Sequence, residues 1–187
     1  MKLVTYERGG PRAGLLIGDR IYDIEKCASF LHLEGDYPSD IMTLIRVRGL
    51  RELRSLAKRL KELDKGHEEL PLQCWASLDE VELHAPVPRP GKIICLGLNY
   101  KDHAREQNAK VPDMPLLFSK ASTATTGHGR PIVIPEGSTE IDFEAELAFV
   151  VAREVKGAGI DDAANAILGY TCMNLSLIHI SEPTRPY

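Results

Sequence analysis

The chain has 187 residues, enough for one domain with room for a small second one. With 43% hydrophobic and 27% charged residues it has the make-up of a globular protein, and a net charge of -4 with no basic run argues against nucleic acid or an anionic membrane surface as partner. No apolar stretch is long enough to span a bilayer, and the first residues carry no uninterrupted apolar core of the signal-peptide kind, so the cytoplasm is the expected location.

Taken in chain order, Lys2–Glu7, Ala13–Ile17 and Arg20–Ile24 read as short strands separated by Gly9-Gly10-Pro11 and Gly18-Asp19, both turn signals. A helical region follows from Pro38 to Lys65, where Leu53, Leu56, Ala57, Leu60 and Leu63 recur at helical spacing. Val81–Val87 returns to strand character and leads into Pro86-Val-Pro-Arg-Pro90, which can continue neither a helix nor a central strand. The expected organisation is therefore an α+β domain over 1–85, a proline-rich linker over 86–91, and a second domain from 92 onward. There Lys92–Leu96 reads as a buried strand, Gly97–Tyr100 as a turn and Lys101–Gln107 as a short helix. Leu116–Lys120 and Ile132–Pro135 read as strands around the Ser/Thr/Gly-rich loop 122–129, Ile160–Leu168 as a helix stopped by Gly169, and Tyr170–Asn174 as the start of another strand. Of the cysteines Cys27, Cys74, Cys95 and Cys172, none makes a C-x-x-C pair, which leaves a zinc or thioredoxin-type site without support. Cys95 and Cys172 sit in apolar runs and are expected to be buried.

The run Ile141–Val151 is apolar and strand-like apart from its acids. Alternation in a strand puts Asp142, Glu144 and Glu146 on one face and Phe143, Ala145 and Leu147 on the other. Carboxylates ranged along one face repel each other unless a cation, a proton or water intervenes. A hard divalent ion fits, because it takes oxygen ligands from one or two carboxylates and leaves positions for substrate. An edge strand with a wet acidic face fits the same spacing. Upstream, His103 and Glu106 stand three apart on the predicted helix and share a face. A carboxylate beside an imidazole orients the ring and favours its protonated form, the usual setting of a general base. A surface His–Glu pair has the same spacing.

Four segments in order carry more than any one of them: Gly97-Leu-Asn-Tyr-Lys-Asp-His103, Pro115-Leu-Leu-Phe-Ser-Lys120, Asp142-Phe-Glu-Ala-Glu-Leu147 and Gly169-Tyr-Thr-Cys-Met-Asn174. Together they resemble the fumarylacetoacetate hydrolase superfamily, strongly over 92–174 and loosely over 1–85. The resemblance implies an α+β fold in which 92–174 is the first part of a mixed β-roll or barrel catalytic domain, in a protein that is a homodimer when intact. It implies Mg²⁺ or Mn²⁺ held by Glu144 and Glu146, His103 as catalytic base with Glu106 as its acidic partner, and Lys120 and Tyr100 as substrate contacts. The substrate would be a small β-diketo or 2-oxo acid, and the reaction C–C hydrolysis or decarboxylation. Ureidoglycolate lyase or 2-hydroxyhepta-2,4-diene-1,7-dioate isomerase activity, and a non-catalytic binding module, are the alternatives.

The family pattern continues after Asn174 with an Asp, its third metal carboxylate, whereas this chain has Leu175. Residues 175–187, which resemble the translation of a sequencing-library adapter, are expected to be a non-native tail. His179 is the one nearby replacement ligand and suits Mg²⁺ less well than oxygen does. The polypeptide as written is therefore expected to be inactive and poorly folded.

Overall fold

The structure, a computed structural model, describes residues 1–66, 70–106, 108–137 and 141–178, with the side chains of 176–178 left aside. Its first half is a four-stranded antiparallel sheet in the order β1 (Lys2–Glu7), β2 (Pro11–Ile17), β3 (Arg20–Asp23), β4 (Trp75–Ser77). Three helices lie against it: α1 (Ile24–Phe30), α2 (Ile41–Val47) and α3 (Leu50–Lys65). The three strands expected at the start are present, with β2 starting two residues early at Pro11.

The expected helical region is two helices, and α1 precedes it unannounced. Asp40 ends the loop before α2 by accepting the Thr43 amide at 2.7 Å, and Glu52 opens α3 by accepting the Gly49 amide at 2.6 Å. These side chains satisfy amides that have no partner inside the helix. The predicted stripe faces the sheet: Leu53, Leu56, Ala57 and Leu60 are buried beside Leu15, Tyr22, Ile24, Ile41 and Leu44, with Leu63 partly buried against them. Each leucine removed from water there contributes about 1.5–3 kcal/mol.

Val81–Val87 is not a strand. It runs extended along β1 through a single bridge, Tyr6 to Leu83, with hydrogen bonds from the Glu7 amide to Glu82 and from the His84 amide to Thr5, and the following prolines cannot extend a ladder. The chain then crosses the proline-rich stretch, held by the Thr5 hydroxyl on the Pro86 carbonyl at 2.8 Å and the Thr125 hydroxyl on that of Pro88 at 2.5 Å.

Beyond it stand two antiparallel pairs. The strands β5 (Ile93–Gly97) and β6 (Leu116–Lys120) form one, with the short helix α4 (Lys101–Glu106) between them in sequence. The strands β7 (Ile141–Val151) and β8 (Ile167–Ile178) form the other, with α5 (Ile160–Ala164) between. Several expectations are corrected here. β5 buries only one face, with Cys95 inside and Ile94 at 64% exposure. Ile132–Pro135 forms no strand, and Val133 is open to solvent. The helix at Ile160 ends at Ala164, and β8 begins at Ile167, because Gly169 sits in the ladder beside a register shift at Val150/Val151 instead of capping a helix. Gln107, at the end of the helix expected over Lys101–Gln107, lies outside the described residues, as does His179. Cys172 is exposed, since it shares the outward face of β8 with Tyr170, while Cys27, Cys74 and Cys95 are buried free thiols.

Candidate active site

β7 presents its acids as alternation requires, with one departure. Glu144 and Glu146 are half-buried, and the apolar residues between and beyond them are the exposed ones: Phe143 at 80%, Leu147 at 63% and Phe149 at 56%. Asp142, at the start of the same face, is exposed. Across the ladder Glu144 pairs with Leu175 and Glu146 with Met173, so the β8 neighbours on the acidic face are apolar. Leu175 is buried.

β5, β6 and α4 bring the rest of the predicted site to that face. Burial raises the Glu144 carboxyl above its usual range, and the charges of Glu146 and Asp142 add to the rise, while His103 and Lys120 pull it down. Cys95 gives an independent bearing: burial raises its thiol, Glu146 and Glu144 push the same way, and Lys120 opposes them. Glu146, His103 and Lys120 are thus among the charged groups whose fields reach Glu144. His103 is half-buried on α4, whereas Glu106 is exposed at the end of that helix, where Arg105 already pairs with Asp102. Tyr100 precedes α4 and is joined to β7 by the Leu147 amide, which donates to its hydroxyl at 3.1 Å. Lys120 closes β6 with its ammonium 5.9 Å from the Phe118 ring centroid.

Two participants were missed from sequence. Cys95 was expected to be buried, and it is, but its place beside the carboxylates was not foreseen. The available signal was strand register: Cys95 pairs with Phe118, two residues from Lys120 and on the same face. The Leu147 amide had no signal, because a backbone group is invisible to motif spacing.

The donor set suits a hard divalent cation in part. Two neighbouring carboxylates, one raised by burial and then by its fellow, would gain from a cation that relieves their repulsion, and oxygen is the donor such ions prefer. Among the described residues no three His, Cys, Asp or Glu side chains are gathered closely enough to hold a metal ion by themselves. An ion held by two carboxylates alone would have to complete its shell with water or substrate. The described residues also contain no helix long and apolar enough to cross a membrane.

Residues 92–178 match the family described as fumarylacetoacetate (FAA) hydrolase C-terminal. An oxaloacetate tautomerase of Xenopus laevis, named as mitochondrial, is 46% identical over 95 residues, covering 51% of this chain and 30% of that protein. The oxaloacetate tautomerase YisK of Bacillus subtilis (strain 168) is 36% identical over 168 residues, covering 86% of this chain and 54% of that protein. In three dimensions the chain is similar to maleylpyruvate hydrolase from Sphingobium sp. SYK-6, solved with manganese(II) and pyruvate, with a TM-score of 0.66 and 26% identity over 96% of this chain and 60% of that one. The chain spans 30% to 60% of the length of these relatives.

Proposed function

The chain belongs to the fumarylacetoacetate hydrolase superfamily, and from that premise we propose that it is the N-terminal part of a divalent-metal-dependent enzyme that moves a proton next to the carbonyl of a small 2-oxo acid. The half-buried Glu144–Glu146 pair on one face of β7, with His103 and Lys120 among the charges acting on Glu144, supports this reading. Glu144 and Glu146 would hold Mg²⁺ or Mn²⁺. When bound, such an ion supplies Lewis-acid polarisation of the substrate's carbonyl oxygen. Lys120 supplies positive charge for a substrate carboxylate, and Tyr100 offers its O–H as a second donor. His103 takes the proton from the carbon beside the carbonyl and delivers it to the carbonyl oxygen, which becomes the enol hydroxyl, with Glu106 available to orient the ring.

Keto–enol tautomerisation of a 2-oxo dicarboxylic acid needs only these groups, and two relatives bear the name oxaloacetate tautomerase. C–C hydrolysis, or decarboxylation, is the second reading. The maleylpyruvate hydrolase likeness favours hydrolysis, which would need His103 to activate a water instead. A ureidoglycolate lyase or diene-dioate isomerase would use the same residues on another substrate.

Leu175 leaves this chain without the third carboxylate of the family pattern, so the 187-residue polypeptide should turn over no oxo acid. Residues 175–187 are accordingly read as a non-native tail, and 1–85, 86–91 and 92–174 as domain, linker and the first part of the catalytic domain. A homodimer in the cytoplasm is the proposed state of the intact protein, although the Xenopus relative is named as mitochondrial.

The test joins residues 1–174 to the part of the Bacillus subtilis protein that follows its matched stretch. Enolisation of oxaloacetate, followed by ultraviolet absorbance with Mn²⁺ present, should accelerate, and His103→Ala should lower the rate by about 10²-fold or more. An unchanged rate in the His103→Ala hybrid would remove the proton-transfer role. Preferential cleavage of an acylpyruvate would establish the second reading.

A further inference from the structure

Tyr100 lies outside ordinary backbone geometry. Its φ is +64°, and that of Leu98, two residues earlier, is +50°, both in the left-handed region that side chains other than glycine rarely occupy. Strained backbone persists where surrounding contacts hold it, and such places cluster at functional sites. The contacts are present at both ends of Tyr100. Its carbonyl accepts the Ala104 amide at 3.3 Å, which begins α4, and its hydroxyl accepts the Leu147 amide at 3.1 Å.

Leu147 follows Glu146 directly. β7 is paired with β8 alone among the described strands, so its other edge offers backbone amides to whatever approaches. The Tyr100 ring spans the gap from that edge to the first turn of α4, and His103 stands three residues along the chain from it. Tyr100 thus bridges an amide beside one proposed ligand and the Ala104 amide in the first turn of the helix that carries the proposed base.

We propose that Tyr100 is a positioning residue: through its hydroxyl on the Leu147 amide it fastens the start of α4 to β7 and so holds His103 toward the Glu144–Glu146 pair. This deepens the proposed function and rests on it for the roles of His103 and the two glutamates. It goes beyond the donation of the Tyr100 O–H to substrate, because the hydroxyl is used here as an acceptor with no substrate needed.

The experiment is amide exchange and proton NMR on the isotopically labelled full chain, comparing wild type, Tyr100→Phe and Tyr100→Asn. Phenylalanine keeps the ring and loses the hydroxyl; asparagine tolerates the left-handed backbone and also loses it. Both variants should raise exchange at Leu147 by about tenfold, the scale of one hydrogen bond, and raise it at Ala104 too, while Leu15 in the N-terminal sheet stays protected. With Mn²⁺ added, both should bind the ion as wild type does but show weaker paramagnetic broadening of the His103 ring protons. Unchanged exchange at Leu147 and Ala104 in both variants would overturn the proposal. So would unchanged His103 broadening, or loss of protection throughout the chain, which would mark a merely structural role. If wild type binds no Mn²⁺, the metal reading falls by itself, and the Leu147 and Ala104 exchange rates still decide whether Tyr100 fastens α4.

Discussion

Asp23 and Glu144 are both acids drawn away from water, and their surroundings drive them in opposite directions. Burial pushes Asp23 up, but the Arg12 guanidinium at 2.5 Å, the Lys26 amide at 2.9 Å and the Tyr6 hydroxyl at 2.7 Å outweigh it and hold the carboxyl below its usual range. Burial pushes Glu144 up as well, and there the charges of Glu146 and Asp142 add to the rise instead of opposing it. The first is an acid satisfied by the fold, the second the acid proposed here to take a cation. For Asp23 the sign follows from linkage. A carboxyl whose folded value lies below its unfolded value of about 3.9 stabilises the native state at higher pH, and that stability is lost as pH falls through the folded value. The Asp23→Ala variant should lose about 1–3 kcal/mol near neutral pH, because the buried Tyr6 hydroxyl and the Lys26 amide lose their acceptor and Arg12 keeps only Glu25. Part of the acid sensitivity of denaturant unfolding should vanish with it. Equal stability of variant and wild type at neutral pH would show that the Asp23 network contributes nothing net. None of this was legible in sequence, where Asp23 was only one residue of the strand expected over Arg20–Ile24. Glu144 and Glu146 were legible, because alternation and like charge are both local properties of Ile141–Val151.

Elements whose signals are local were readable, and those decided by a distant partner were not. The stripe of α3 and the alternation of β7 were seen at once. The division of Pro38–Lys65 depends on Asp40 and Glu52 capping separate helices, a detail that periodicity over a window averages away. Val81–Val87 has strand composition but met prolines before it could extend a ladder, and the short β4 took the edge beside β3 instead. β7 and β8 show the same limit in another way. Composition says that Phe143, Leu147, Phe149 and Tyr170 belong in a core, yet all of them are exposed. A contiguous apolar face of this kind binds hydrophobic probes and invites association. The chain should therefore enhance the fluorescence of an anilinonaphthalene sulfonate dye. The Phe143→Lys/Phe149→Lys double variant should reduce that signal and any self-association seen in sedimentation velocity. A wild-type chain that is monomeric and binds no dye would mean that this face is covered in solution.

Across the whole molecule the two halves differ in what holds them. The first has a core of sheet and helices around Leu15, Tyr22, Leu44 and Leu53. Beyond residue 85 the buried apolar residues are Cys95, Ala104, Ala166 and Leu175, too few and too small for a comparable core among the described residues. The proposed site nevertheless lies in that second half, on β5, β6, α4 and β7, whose segments the sequence presents in order. Ordered motifs made the participants legible. Their mutual placement, including Cys95 beside the carboxylates and Tyr100 tied to Leu147, required the strand register and the fold of the loop before α4. What the chain is proposed to do depends on one property of that assembly, a pair of carboxylates that takes a divalent ion. The direct measurement is Mn²⁺ titration of the 187-residue chain followed by electron paramagnetic resonance, beside Glu144→Ala, Glu146→Ala and Asp142→Ala. Binding should be lost in the first two variants and kept in the third. Equal loss in all three, or binding that survives Glu144→Ala and Glu146→Ala, would contradict the assignment.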